Sequence, residues 1–334
     1  MRPNRLNNQG SARRAVTSRT GKPAGKRIRN FEAFREVFAD WDGSFHQMSR
    51  GPFEGSLHVD RGRGLRIFEV RTNQAILTRG VDHAPLMTFI PVTVRNAQTV
   101  WQGHRRLDPG RLIVKHPEAG YHNRTAKETV LSALLLPLPV FREVFQVLAG
   151  KDIRFGSWSA LTPEPEAMAR FETGLQTAFR ASIHYGGLTS CPDDPSFESQ
   201  LLQLLIDVLV APGVEPEMGA NARKQLVRKA VAFMHDRLTL SLTALDVCEA
   251  MQVSDRALRR AFQESFGMGP LAYFRVMRLH AVRAELRRQR DWHGSVADIA
   301  QHWNFGRLGA FAQAYRDHFG ELPSVTLGVR GRSP

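Results

Sequence analysis

An internal repeat near the C-terminus constrains this 334-residue chain more than any other feature. Leu258, Phe262, Phe266, Gly267 and Pro270 recur 53 positions later as Phe311, Tyr315, Phe319, Gly320 and Pro323. Upstream, Thr243, Asp246, Val247 and Cys248 recur 52 positions later as Ser295, Asp298, Ile299 and Ala300. A hydroxyl residue with an acid three positions on marks a helix start, because it accepts from an unpaired first-turn amide. A glycine closing an apolar run at helical spacing marks a helix stop. Each unit therefore predicts a short helix, a turn (251–254 or 303–307) and a longer helix, with the one-residue slip in the turn.

Helical geometry sorts the longer helix of the first unit into two faces. Leu258, Ala261, Phe262 and Phe266 lie at i, i+3, i+4 and i+8 and make an apolar face. Arg256, Arg259, Arg260 and Gln263 fall on another face. Guanidinium and amide groups suit the guanine and adenine edges of a DNA major groove. On a single helix such a row would read as a solvated basic face; its place in a repeated helix-turn-helix favours DNA. The second unit is milder. Phe311, Tyr315 and Phe319 form its buried stripe, while Gly309, Ala312, Gln313 and Arg316 face outward, with Arg307 and Leu308 at the helix start. Weaker or shape-based discrimination is expected there. Val276, Leu279, Val282 and Leu286 predict one long helix over 271–289 linking the units. A rigid link would let two recognition helices enter successive major grooves, about 34 Å apart.

Charge agrees with a polyanionic partner. Of the formal net charge of +14, residues 1–30 carry +9, residues 31–220 carry −3 and residues 221–334 carry +8. Residues 1–30 are Arg-, Asn- and Gly-rich and predict a disordered basic tail. That tail reads as inert, as a non-specific phosphate tracker, or as resembling an Arg-rich transit segment. Cys191 and Cys248 exclude a disulfide scaffold and a CxxC zinc site, and a cytoplasmic setting follows as the simplest expectation. The longest apolar run, 130–140, is broken by Ser132, Pro137 and Pro139 and falls short of the roughly 18 residues of a membrane span.

Residues 31–210 read as an effector and dimerisation domain, strands first and helices after. Strands are expected at 55–60, 64–71, 86–94, 111–115 and 130–136, and helices at 139–149, 164–184 and 196–210. Short strands punctuated by Gly and Pro suggest an antiparallel sandwich or barrel. Residues 211–220, with Pro212, Gly213 and Pro216, read as a linker to the tandem domain at 221–330. No metal site or cofactor is expected: His46, His58, His83, His104, His116 and His122 show no His-x-His spacing. No catalytic residues are expected either, since the nucleophile, phosphate-loop and dinucleotide motifs are absent. Trp101, Phe89 and Tyr121 are candidate lining for a small-molecule pocket inside the barrel, with core packing as the plainer reading.

The tandem region resembles the DNA-binding domain of the AraC/XylS (arabinose-regulator) family. The resemblance spans Gln225 to Arg330. It is carried by Ser254-x-x-x-Leu258-x-Arg260-x-Phe262-x-x-x-Phe266-Gly267, by Asp298-Ile299-Ala300-x-x-x-x-Phe305, and by Phe311-x-x-x-Tyr315-x-x-x-Phe319-Gly320-x-x-Pro323. It implies that Arg256, Arg259 and Arg260 face DNA and that Gln313 stands where arginine is usual. Residues 306–310 depart from the usual Ser/Asn-rich helix start. More loosely, the N-terminal part resembles regulators related to the ethanolamine-utilisation regulator. The resemblance implies an α+β two-domain chain: a cupin or jelly-roll-like effector domain with helices, then an all-α tandem helix-turn-helix domain. It further implies a ligand-responsive transcriptional activator with double-stranded promoter DNA, RNA polymerase and an unknown small-molecule effector as partners. A homodimer through 196–210 is one reading of that apolar helix; burial in its own core is the other. Two further classes stay open: a non-specific architectural DNA binder, and an alkyl-repair type of DNA enzyme using a cysteine nucleophile.

Overall fold

The computed structural model describes residues 26–38, 42–81, 85–103, 105–117, 119–149, 155–190, 194–210, 222–288 and 295–328. The N-terminal part runs β1 (Lys26–Ile28), α1 (Phe31–Val37), β2 (Asp42–Gln47), β3 (Gly55–Arg61), β4 (Arg66–Thr72), β5 (Ile76–Val81), β6 (Leu86–Pro91) and β7 (Leu112–Lys115). It continues β8 (Tyr121–Arg124), β9 (Thr129–Pro137), α2 (Leu138–Ala149), β10 (Trp158–Leu161), α3 (Pro165–Tyr185) and α4 (Asp194–Val210). The helices that follow are α5 (Ala222–His235), α6 (Ala244–Met251), α7 (Asp255–Phe266), α8 (Pro270–Arg288), α9 (Val296–His302), α10 (Leu308–Phe319) and α11 (Pro323–Gly328).

Two antiparallel sheets build the N-terminal domain. The larger has strand order β1-β3-β4-β9-β6-β7-β10 and the smaller β2-β5-β8. β6 and β7 are buried at every position because both faces are covered, which is why they read as nearly continuous apolar runs, with Thr88 and Lys115 the polar exceptions. One face carries Met87, Phe89, Leu112 and Val114 against α2, α3 and α4. The other carries Ile90, Val92 and Ile113 against Trp101, Leu107 and Ala160. Phe89 and Trp101 thus lie on opposite sides of the large sheet and do not line one pocket, while Tyr121 is half-buried beside the Lys115 ammonium. The α4 stripe of Leu201, Leu205 and Val208 is consumed in the domain's own core, so the dimer reading draws nothing from it.

The expected tail boundary at Asn30 is corrected. Lys26–Ile28 pairs with β3, Ile28 is buried against Phe31 and Phe34, and the Asn30 side chain caps α1. Burying Ile28 in the phenylalanine cluster holds these three residues against β3 as one further strand of the sheet. The rest of the expected tail (1–25), the linker at 211–220, and Cys191, His83 and His104 lie outside the described residues.

The small sheet was not legible as strands. Its strands read DGSFHQ, ILTRGV and YHNR, polar and short, and only part of each is buried. Its position explains that composition. Met48, Ala75 and Leu77, in and beside β2 and β5, join the core formed by α5, α6, α7 and the first half of α8. The sheet therefore serves as the platform on which the tandem domain rests.

Candidate nucleic-acid interface

Both repeat units fold as their caps dictate. Thr243 Oγ1 accepts from the Asp246 amide at 3.2 Å, and the Asp246 carboxylate accepts in turn from the Thr243 amide at 2.7 Å. The same reciprocal box joins Ser295 and Asp298, at 3.3 and 2.7 Å. These bonds hold both carboxyls below the usual aspartate range. Gly267 and Gly320 end α7 and α10 at φ +67° and +80°, backbone angles that side chains resist. Gln252 and Asn304, also 52 positions apart, both take φ near +55° (54° and 55°) at the turns. The repeat falls out of register just after them: Gly306 is the extra residue, and Arg307 precedes α10 without a side-chain capping bond, whereas Ser254 caps α7.

The apolar stripes are buried as expected. Leu258, Ala261, Phe262 and Phe266 pack with α5, α6 and Tyr273, and Phe311, Tyr315 and Phe319 pack with Leu279, Val282 and Leu286. On the opposite face of α7, Arg256, Arg259, Arg260 and Gln263 are all exposed. Asp255 accepts from Arg259 at 2.5 Å and Glu264 from Arg260 at 2.9 Å, which extends both guanidiniums along the helix surface. The positions equivalent to these four on α10 are Gly309, Ala312, Gln313 and Arg316. Arg307, Leu308, Gln313 and Arg316 are exposed, and Arg316 donates to Gln313 Oε1 at 3.1 Å. The charge asymmetry seen in the sequence is thus an asymmetry between two exposed helix faces.

α8 belongs to both cores. Tyr273, Phe274 and Met277 serve the first unit, and Leu279, Val282 and Leu286 the second. Its 19 residues span about 28 Å. Arg278, between those sets, donates to Leu238 O at 2.6 Å in the first unit and to Asn304 O at 3.4 Å in the second.

Residues that hold the domain to its platform escaped the sequence reading. Arg283 is buried and donates in a two-pronged fashion to Glu32 of α1, at 2.6 and 2.9 Å, with Glu321 at 2.9 Å. Burial alone would raise the Glu32 carboxyl, but Arg283 holds it below the usual range. Gln47 reaches from β2 to α10: its Nε2 donates to His318 O at 2.8 Å, and its own carbonyl accepts from His318 Nε2 at 3.0 Å and His280 Nε2 at 2.8 Å. His280 is only half-buried as a residue, but its ring is enclosed by those of Phe31, His46, His318 and Phe319. Burial drives His46 down to about 3 and His318 to about 4, and it lowers His280 as well. One signal was available: Arg283 follows Val282 at an otherwise apolar helical spacing from Leu279 and Leu286.

Among the described residues, the groups that could act on a bond are otherwise engaged. Among the described residues no three His, Cys, Asp or Glu side chains group as metal ligands. Cys248 is buried, and burial together with Asp255 pushes its thiol up, away from the reactive thiolate. Ser182 Oγ meets His58 Nε2 at 2.9 Å, but the nearby Asp60 carboxylate accepts from the serine instead of orienting the imidazole. Ser182 is fully buried, so this network ties α3 to β3. Among the described residues no helix is long and apolar enough to cross a membrane.

Comparison with known proteins places the same region. Residues 247–328 match the helix-turn-helix domain family model. The chain is 34% identical over 101 residues to the XylDLEGF operon transcriptional activator 2 of Pseudomonas putida, covering 30% of this chain and 64% of that protein. It is 34% identical over 102 residues to the probable thc operon regulatory protein of Rhodococcus erythropolis, covering 30% of this chain and 31% of that one. These matches therefore span a third to two thirds of the curated relatives' lengths. Among solved structures, a probable AraC family transcriptional regulator from Rhodopseudomonas palustris is 30% identical, covering 32% of this chain and 97% of that chain, with a TM-score of 0.30.

Proposed function

The chain belongs to the AraC/XylS family of helix-turn-helix transcriptional regulators, and from that premise we propose that it is a sequence-specific DNA-binding activator gated by a signal at its antiparallel β domain. One observation carries the reading: the four groups suited to base edges, Arg256, Arg259, Arg260 and Gln263, share the exposed face of α7 while its other face is sealed in the core. Gln313 and Arg316 give α10 a thinner set, with Arg307 and Leu308 at its entry. Surrounding Lys and Arg side chains position the units on phosphates, and the α7 face supplies most of the base discrimination. RNA polymerase is the downstream partner this role requires. A small-molecule effector would act through the β domain, whose small sheet touches both units.

The test is selection of genomic fragments by the purified protein at near-physiological salt, followed by affinity measurements on the recovered site. A few sharp sites are expected, and Arg260→Ala should cost about 1–3 kcal/mol and relax preference at one base pair. Equal losses on specific and random DNA would reduce Arg260 to a phosphate contact. Broad retention with a steep salt dependence and no preferred site would replace the regulator with an architectural binder.

A further inference from the structure

Each recognition helix ends on the effector domain, and it does so at its C-terminal carbonyls. At the end of α7, Ser265 O accepts from Arg124 Nε at 3.3 Å. The same guanidinium lies over Gly267, where an added Cβ would come within 3.1 Å of it. At the end of α10, His318 O accepts from Gln47 Nε2 at 2.8 Å and from the Gly51 amide at 3.2 Å. A helix C-terminus carries partial negative charge and unpaired carbonyls, so a guanidinium and two N–H donors are the groups it takes.

Gln47 and Arg124 lie on the two edge strands of one sheet, with β5 between them. Gln47 pairs with Ile76 and Arg124 with the adjacent Leu77, so the two anchors sit about 10 Å apart, two strand spacings. α8 already joins the units, but long single helices curve and bend. The sheet supplies a second connection and closes the frame.

We propose that Gln47 and Arg124 are positioning residues: through the small sheet they fix the separation and rotation of α7 and α10, and so set the half-site spacing the protein accepts. This rests on the reading that both units bind DNA. One base pair shifts a half-site by about 3.4 Å and about a tenth of a turn, a change that a closed frame resists and a bending helix absorbs.

The experiment uses the full chain, the parent site recovered by genomic selection, and copies of that site with one base pair inserted or removed between the half-sites. The ratio of Kd on altered to parent spacing is the readout. The wild type should discriminate by about tenfold. Arg124→Met and Gln47→Met should each lower the ratio severalfold towards one while leaving affinity for the parent site nearly unchanged, Gln47→Met the less because the Gly51 amide and the residue 47 carbonyl still hold His318. The double variant should be at least as flat as the flatter single one, because each substitution loosens one end of the same frame. Arg124→Lys, which keeps the charge, gives a milder version, and the Arg124 pair stands by itself should Gln47→Met not fold. Folded variants that keep the wild-type ratio would leave α8 as the ruler and overturn the proposal, as would a wild type indifferent to spacing. Additive losses of parent-site affinity with an unchanged ratio would make the contacts merely stabilising. Absence of any preferred site in the wild type would instead sink the underlying function, a separate failure.

Discussion

Arg283 shows how one buried charge can hold two domains together. Its guanidinium is saturated by Glu32 from the effector domain and Glu321 from beyond α10, with the Tyr315 hydroxyl at 3.4 Å. Removing one partner of such a pair strands the other in a poorly solvated site. Arg283→Met should therefore destabilise the protein by about 3–5 kcal/mol, read as a lowered urea midpoint. A change under about 1 kcal/mol would mean that water reaches Glu32 when the arginine is gone. The α7 arginines behave differently. Their ion pairs are exposed, so their substitution should register in DNA binding and scarcely in stability.

Among the elements, the two units test how far local rules reach. Ser295→Ala removes the acceptor for the Asp298 amide and half of a capping box, and should cost about 1 kcal/mol in thermal or urea unfolding. α10 offers the opposite experiment. Gly309 sits in its first turn, no atom lies within 4 Å of an added Cβ, and its backbone is ordinary helix. Gly309→Ala should raise stability by about 0.5–1 kcal/mol, since alanine loses less backbone freedom on folding. No gain would indicate that the uncapped start of α10 frays in the native state. These elements were legible because caps, stripes and glycine stops act within a dozen residues. β2, β5 and β8 were not, because one face of the sheet they form, with Leu77 and the flanking Met48 and Ala75, is buried by a domain that follows them by more than a hundred positions.

For the whole molecule, the histidine-lined seam between the domains makes stability depend on pH. His318 is buried with its protonation point near 4, against about 6.5 in the unfolded chain. The unfolded state thus binds more protons between these values, so stability is complete above about pH 6.5 and falls as pH drops towards 4. His318 alone should cost about 2 kcal/mol at pH 5. His46 and His280 add to the loss in the same direction, and Arg35, Arg50, Arg79 and Arg283 around them oppose any added positive charge. Urea midpoints at pH 7.5 and 5 should differ strongly in the wild type and less in His318→Gln. A pH-independent midpoint would mean that these rings titrate in the native protein as they do in the unfolded chain, and so are solvated.

The sequence alone determined the tandem domain, its two caps, its buried stripes, the linking helix and the exposed α7 face that carries the DNA reading. All of these are periodic or short-range patterns, written into neighbouring residues by helix geometry. It also determined the doubly covered central strands, whose burial on both faces leaves an apolar run. Tertiary structure decided how the two domains meet. Gln47 and His318 are 271 positions apart, Arg283 and Glu32 251, and Arg124 and Ser265 141. Each of these is a polar residue in a short or mixed stretch, where composition predicts solvent. Only the folded chain supplies the carbonyl, carboxylate or imidazole that satisfies it, because a hydrogen bond depends on where two groups arrive and leaves no period in the sequence.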